Sequence, residues 1–245
     1  MAEQEKAKKT IRQSTSKPQF KNSFDKLKKL FFSPKAFFEG VAWETDYLAP
    51  LLFFVIILVI AQFINTLLSI PSTLQQPLGV ITVIFSFFGI AVGAAIGFVV
   101  PFISAGINHL GVLMFGGRKG YYSTFKPTTY AMVIGVVYGL ILGIANFILS
   151  IAQPFNPASS IPTSFSDFIS IIPGSYIAVN VLIYLASMIH TICAEVIGIS
   201  RFQEMSKAKA FFAVIVMMLI MLVIIATVTI LAFKFVSTLM PAPVV

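Results

Sequence analysis

The sequence predicts an all-α protein: a polytopic membrane helix bundle with five transmembrane helices and an N-terminal amphipathic interfacial helix. Composition is the first observation, since 58% of the 245 residues are apolar and only 11% are charged, whereas soluble domains have about 25% charged residues. The second is the recurrence of apolar runs of the length that a bilayer requires. The third is the confinement of basic residues to alternate connecting segments. An ordinary soluble domain is therefore excluded.

The N-terminal residues 1–22 are polar, mostly basic and without hydrophobic periodicity. Such a segment buries too little apolar surface to offset the entropy of ordering, so we expect a disordered basic cytoplasmic tail. No short apolar core with a small-residue cleavage site follows it, which predicts a retained tail and not a cleaved signal peptide.

Residues 23–45 form an amphipathic juxtamembrane segment. Phe24, Leu27, Leu30 and Phe31 recur at helical spacing, with lysines interleaved. The lysines are Lys21, Lys26, Lys28 and Lys29. The helix is expected either in the headgroup layer, with its lysines among anionic lipids, or packed on the protein's own cytoplasmic face. A second short helix is predicted to start at Pro34, with Ser33 as its cap.

The transmembrane domain is predicted over residues 46–238, followed by a short extracytoplasmic C-terminus at 239–245. The five spans are expected at about 47–70, 78–115, 127–151, 175–199 and 209–236. The second run would be about 57 Å long as a helix, against a hydrocarbon core of about 30 Å. A tilt, a kink at Pro101 or a protruding end would reconcile the two lengths. Division at Pro101 would leave too few residues for a second crossing, so five spans are preferred to six.

Basic residues predict the orientation of the bundle. Ten of the 17 Lys and Arg precede the first span, and the segments 116–126 and 200–209 carry three each. The connections 71–77 and 152–174 carry none. By the positive-inside rule the N-terminus is cytoplasmic and the C-terminus lies outside. The remaining basic residue, Lys234, stands near the end of span five, where it can snorkel to the outer interface.

Two glycine ladders indicate how the helices pack. The six residues are Gly89, Gly93, Gly97, Gly135, Gly139 and Gly143. Glycine at every fourth position leaves a groove that another helix backbone can approach closely. We expect the ladders to pack against each other or against neighbouring spans. A homo-oligomer or a partner helix docked in the grooves is the alternative.

Polar side chains within the spans are few, and they are candidates for function because a membrane interior disfavours them. They are Asn65, Asn108, His109, Asn146, Asn180, His190, Glu195 and Lys234. The cytoplasmic halves of spans two and four predict an intramembrane polar cluster of Asn108, His109, His190 and Glu195. The cluster would be an interhelical hydrogen-bond clamp or a proton or ion pathway. It would be a metal site only if the two histidines and the glutamate, which stand on two separate helices, come close enough to share one ion.

Soluble catalytic signatures are missing from the sequence: it contains no phosphate-binding loop, no H-E-x-x-H and no nucleophile elbow. We therefore predict that the protein is not an enzyme and holds no cofactor. The single cysteine, Cys193, excludes a disulfide framework and a thiol zinc site. Anionic lipid explains the basic residues at the membrane edge, so nucleic acid is not an expected partner.

A compact cytoplasmic rim is expected where the connecting segments meet the headgroups. Gly116, Gly117 and Gly120 permit a tight turn that holds the cations between them at the surface. Asp46 would cap span one or pair with one of these cations. The predicted rim comprises Asp46, Pro50, Gly116, Gly117, Arg118, Lys119, Tyr130, Lys207 and Lys209.

Several motifs carry a family resemblance across roughly residues 28–238. They are Ser33–Phe37, Asp46–Pro50, Phe115–Tyr121 followed by Thr124 and Tyr130, and His190 with the turn Ser206–Ala210. In these pieces the chain resembles the Yip1 domain family of five-span membrane proteins, with Ala49 standing where the family motif has glycine. The short tail and small loops resemble a prokaryotic member, which implies the cell membrane as location. Eukaryotic members engage prenylated Rab GTPases and act in vesicle traffic between the endoplasmic reticulum and the Golgi.

These features together predict a non-enzymatic integral membrane protein that organises membrane or recruits protein partners. Its expected partners are the bilayer with its anionic lipids, a membrane or cytoplasmic protein, and a second copy of the chain. One alternative is a small transporter or channel that uses the polar residues of spans two and four. Another is an accessory subunit of a membrane complex.

Overall fold

A computed structural model describes residues 22–152 and 173–239, with side chains as far as residue 231. Within these ranges the regular elements are helices. They are α1 (Ser23–Phe32), α2 (Pro34–Gly40), α3 (Leu48–Leu74), α4 (Gly79–Met114), α5 (Tyr122–Ala152), α6 (Gly174–Phe202) and α7 (Lys207–Leu239). The predicted tail up to residue 21, the side chain of Lys234 and residues 240–245 lie outside the described part, as does most of the connection between α5 and α6.

Five of the described helices, α3 to α7, are long and apolar enough to cross a membrane. The all-α bundle with five candidate spans is thus confirmed. Many large apolar side chains of these helices point outward, which is the arrangement expected where lipid is the solvent. The protein is a multi-pass membrane protein.

Two helix ends differ by about four residues or more from the expected span limits, and in both cases the expected limit had been placed at a proline. α3 continues through Pro71 to Leu74, and α5 begins at Tyr122, before Pro127. A proline near a helix end removes one backbone hydrogen bond but does not stop the helix. In α4, Pro101 likewise lies inside one continuous helix of 36 residues.

Helix α5 lies at the centre of the bundle and packs against α3, α4 and α6, while α7 packs against α4 and α6. The short helices α1 and α2 cover one end, where α1 contacts α5 and α2 contacts α6. The fully buried side chains of Leu30, Phe37, Phe38 and Val41 join this end to α5. We call it the basic end; it comprises α1, α2, residues 41–47, the loop 115–121 and the turn 203–206.

The glycine ladders meet α3 and not each other. A Cβ atom on Gly93 or Gly97 would touch Gln62 or Leu58, and one on Gly143 would touch Asn65. The other three ladder positions have open space around them within the described residues. Span one therefore packs against both spans two and three, and it fills parts of both grooves.

Candidate functional site

A buried polar network lies at the basic end, with Glu44 at its centre. This side chain, 4% exposed, stands in the linker between α2 and α3. Its Oε1 accepts a hydrogen bond from Lys26 Nζ at 2.9 Å, and its Oε2 accepts one from the Tyr130 hydroxyl at 2.6 Å. The Tyr130 oxygen also accepts from Lys26 Nζ at 2.6 Å. The three groups satisfy one another, as buried polar groups must.

Lys26 brings α1 into this network. Its ammonium lies 5.1 Å from the ring centre of Phe53 and 4.7 Å from that of Tyr130, distances that suit cation–π attraction. The expectation that Lys26 lies among lipid headgroups is therefore corrected: its side chain is only 15% exposed and points into the protein. The physical reason is Glu44, whose buried carboxylate needs a cationic partner.

A second lysine, Lys126 on α5, is even less accessible, at 2%. Its Nζ donates to the backbone oxygens of Val41, at 3.2 Å, and of Glu44. The rings of Tyr122 and Phe202 lie 5.0 and 4.4 Å from the same atom. Lys126 was expected in a basic loop at the surface. Its side chain is instead buried and hydrogen-bonds to the backbone of the linker between α2 and α3.

Helix α1 packs on the protein's own surface through one face. Leu30 is fully buried, and the Phe31 ring lies 4.5 Å from that of His190. This is the second of the two arrangements expected for the amphipathic segment. The opposite face carries Phe24, Lys28 and Phe32, with the two aromatic side chains 74% and 75% exposed. We call these three residues the outer stripe of α1.

Glu195 lies apart from this network, on α6. It is 7% exposed, and its Oε1 accepts hydrogen bonds from Asn108 Nδ2 and from Thr128 Oγ1, both at 2.6 Å. These bonds join α4, α5 and α6. Asn108 and Glu195 of the predicted polar cluster thus do meet.

The two histidines of the predicted cluster lie elsewhere. His109 Nδ1 is 2.9 Å from the Thr124 hydroxyl, which also accepts from Gln203 Nε2 at 2.9 Å. His190 Nδ1 is 3.4 Å from the Tyr138 hydroxyl. In the described part of the chain, neither histidine hydrogen-bonds with Glu195. The two histidines and Glu195 therefore belong to three separate hydrogen-bonded groups.

The predicted rim residues around span one are placed as follows. Asp46 Oδ1 accepts from the backbone N–H of Ala49 at 2.8 Å, which is the capping role expected for it. Pro50 is buried in the first turn of the same helix. Tyr130 is fully buried and belongs to the network around Glu44, so its place on the rim is corrected.

The glycine loop of the rim is tied to the turn between α6 and α7. Gly116 and Gly120 have φ of +91° and +82°, a region that side chains with a Cβ avoid. Gln203 accepts from the Lys119 backbone N–H and donates to the Gly120 oxygen, each at 3.0 Å. Gly117 is buried in this loop, whereas Arg118, Lys207 and Lys209 are exposed.

Sequence reasoning missed three residues that organise this end: Glu44, Lys126 and Gln203. For Glu44 one signal was available, since it stands in a short linker where the lysines of α1 can fold back onto it. For Lys126 and Gln203 there was none, because their partners are 82 and 79 residues away in the chain.

The arrangement is suited to holding helices together. Glu44, Lys26 and Tyr130 saturate one another, and no group of three or more His, Cys, Asp or Glu side chains in the described residues could hold a metal ion. The exposed residues of this end include the outer stripe of α1 and Lys35, Lys207 and Lys209.

Comparison with known proteins agrees with the architecture. The family model of the Yip1 domain matches residues 28–228. This range runs from the middle of α1 into α7. It includes Glu44 and Tyr130 but not Lys26, and it covers the first four candidate spans and most of the fifth. A search of curated proteins and a search of solved structures found no match. The match covers well over half of the sequence, and the chain therefore belongs to the Yip1 domain family.

Proposed function

We propose that this protein is a non-enzymatic scaffold whose basic end faces the cytoplasm and organises the membrane surface. The observation that carries the proposal is the state of α1: its inner face is fastened to the bundle by Lys26, Glu44 and Tyr130, while its outer stripe is exposed. The helix is held in place by the fold, so the stripe is presented at a constant position.

The chemistry of the outer stripe fits an anionic membrane surface. Two phenylalanines one turn either side of Lys28 give an apolar contact with a cation between them. Aromatic rings enter the interface between headgroups and acyl chains, and a lysine there is attracted to anionic lipid by about 1 kcal/mol. Lys35, Lys207 and Lys209 are exposed at the same end and strengthen that attraction.

The cytoplasmic orientation follows from the positive-inside rule. It can be tested with single cysteines in a Cys193→Ser background. Lys119→Cys lies at the basic end and Gln76→Cys in the opposite turn. A membrane-impermeant maleimide should label residue 119 only in inverted vesicles and residue 76 only in right-side-out vesicles. The reverse pattern would refute the orientation.

The role of the outer stripe can be tested on the full chain in lipid nanodiscs, with a fluorophore on Phe24→Cys in the Cys193→Ser background. Lipids with brominated acyl chains should quench it, and more strongly when anionic lipid is present. A fluorophore on Glu204→Cys, in the exposed turn before α7, is the control and should be quenched less. Equal quenching at both positions would contradict membrane contact by the stripe.

Recruitment of a protein is the other use of the same stripe. Native purification of wild type and of the double variant Phe24→Ser, Phe32→Ser separates the two uses. Loss of a co-purifying protein in the variant, together with absence of lipid quenching, would favour an adaptor or an accessory subunit. Unchanged co-purification in the double variant, together with equal lipid quenching at residues 24 and 204 of the labelled chain, would overturn the proposal.

The alternative function, transport through His109, His190 and Glu195, is not supported by any hydrogen bond among these three side chains. The two histidines hydrogen-bond with Thr124 and Tyr138, whereas Glu195 bonds with Asn108 and Thr128. A relay of protons would need neighbouring groups in hydrogen-bond reach. The scaffold is accordingly the function that the geometry supports best.

A further inference from the structure

A cleft of about 370 Å³ lies between α4, α6 and α7, a volume within the range of small-molecule sites. Four methionines line it, Met188 on α6 and Met217, Met218 and Met221 on α7. Asn108 and Glu195 are also in its wall. Methionine side chains are flexible and polarisable, so they adapt to ligands of irregular shape.

The cleft has a polar part and an apolar part. α6 runs toward the basic end, so Glu195 lies about 10 Å nearer that end than Met188 does. α7 runs the other way, so Met221 lies about 10 Å deeper than Val214, which lines the cleft beside the polar pair. A ligand that matches this layout has its polar head toward the basic end and its apolar chain toward the bilayer centre.

The polar part is a carboxyl group that lacks a cation. Glu195 Oε1 takes both hydrogen bonds, from Asn108 and Thr128. Among the described residues Oε2 has no hydrogen-bond donor, and the salt bridges do not include Glu195. A carboxylate in this position is costly without a compensating positive charge. The cleft lining contains no lysine or arginine, so an anionic headgroup would meet only like charge.

From this juxtaposition we propose that the cleft binds a cationic amphiphile: an aliphatic chain with a protonated amine as its head. The ammonium donates to Glu195 Oε2 and lies beside the Asn108 amide, while the chain lies along Met188, Met218 and Met221. This site lies between candidate membrane-spanning helices and is separate from the outer stripe of α1, so it extends beyond the scaffold function.

The test uses the full chain in phosphatidylcholine nanodiscs, with dodecylamine carrying a diazirine on its chain as the photoreactive probe. We expect saturable labelling of the peptide that contains Met217 and Met221. Unlabelled dodecylamine should compete at least about tenfold better than dodecanol or dodecanoate, because only the protonated amine supplies a positive charge. Equal competition by dodecanol would show that the ligand is neutral, and absence of saturation would show that no site exists; either result overturns the proposal.

Variants locate the site. Glu195→Gln keeps an oxygen for Asn108 and Thr128 but removes the charge, and should weaken dodecylamine about tenfold without affecting dodecanol. Met221→Trp fills the cleft and should abolish labelling, whereas Leu222→Trp, its lipid-facing neighbour, should leave it intact. If Glu195→Gln does not fold, the proposal is still tested by the two tryptophan variants and by the competition of dodecylamine, dodecanol and dodecanoate on the wild-type protein. Equal loss in both tryptophan variants would refute the placement.

Discussion

Tyr130 donates its hydroxyl to Oε2 of Glu44 at 2.6 Å, although 86 residues separate the two in the chain. The contact joins α5, the central helix of the bundle, to the linker that precedes span one. Since Lys26 donates to the other carboxylate oxygen of Glu44, Oε1, and to the Tyr130 hydroxyl oxygen, α1, the linker and α5 form one polar unit. The stability of the basic end should depend on this unit more than on any exposed ion pair.

Tyr130→Phe should lower the free energy of unfolding by about 2 kcal/mol, because it removes a hydrogen bond to a charged group and keeps the ring. Unfolding in mixed micelles with a denaturing detergent measures this. Tyr184→Phe on α6 is the control. Because Tyr184 is largely exposed, loss of its hydroxyl should not change the free energy of unfolding. Equal effects of the two changes would disprove the importance of the hydroxyl.

Lys26→Met should cost about 3 kcal/mol of unfolding free energy, because it leaves the Glu44 carboxylate buried without its cation. Lys28→Met, on the exposed side of the same helix, should change stability by less than about 0.5 kcal/mol. Adding Glu44→Leu to Lys26→Met should restore part of the loss, and a double-mutant cycle measures that coupling. Additive losses would mean that the two side chains do not interact.

Gly111→Ala should destabilise the protein by about 2 kcal/mol. A Cβ there would lie 2.6 Å from the backbone oxygen of Ala213 on α7, and backbone cannot move aside as a side chain can. Gly106→Ala, on the same helix with open space around it, should be neutral or stabilise by up to about 1 kcal/mol. Reversible unfolding in mixed micelles gives both values, and a neutral Gly111→Ala would argue against close packing of α4 on α7.

Gln203→Leu should release the glycine loop, because it removes the partners of the Lys119 N–H and the Gly120 oxygen. Hydrogen exchange at the Lys119 amide should accelerate by about tenfold or more. Glu204→Gln tests the exposed ion pair of Lys119 and Glu204 in the same turn, which is worth at most about 1 kcal/mol. Faster exchange in Glu204→Gln than in Gln203→Leu would reverse the roles assigned to the two side chains.

The architecture could be predicted from the sequence because span formation is local. Each span must satisfy its own backbone in lipid and present an apolar surface, so hydropathy and length report it directly. The end of α3 shows the limit of that reasoning: Pro71 was expected to stop span one, yet the helix continues to Leu74. The cost of one missing hydrogen bond is smaller than the gain from about one further helical turn.

The candidate site was less predictable, because polar partners are chosen across the fold. Asn108 and Glu195 were expected in one polar cluster, and they do form a hydrogen bond. His109 was expected beside them, but one residue along α4 points it to another helix face, where Thr124 lies. The sequence predicts how deep a residue lies in the membrane. Which neighbouring helix its side chain faces depends on how the helices pack.

What the sequence by itself determined is the membrane class, the number of spans and the segments that carry positive charge. Only the tertiary structure decided which of those charges are at the surface. Lys28 is exposed, but Lys26, two residues earlier, is turned inward to Glu44, and Lys126 is buried beneath the linker. The reason is physical: hydropathy is a property of each segment, but a buried charge is stable only where a distant part of the chain supplies its partner.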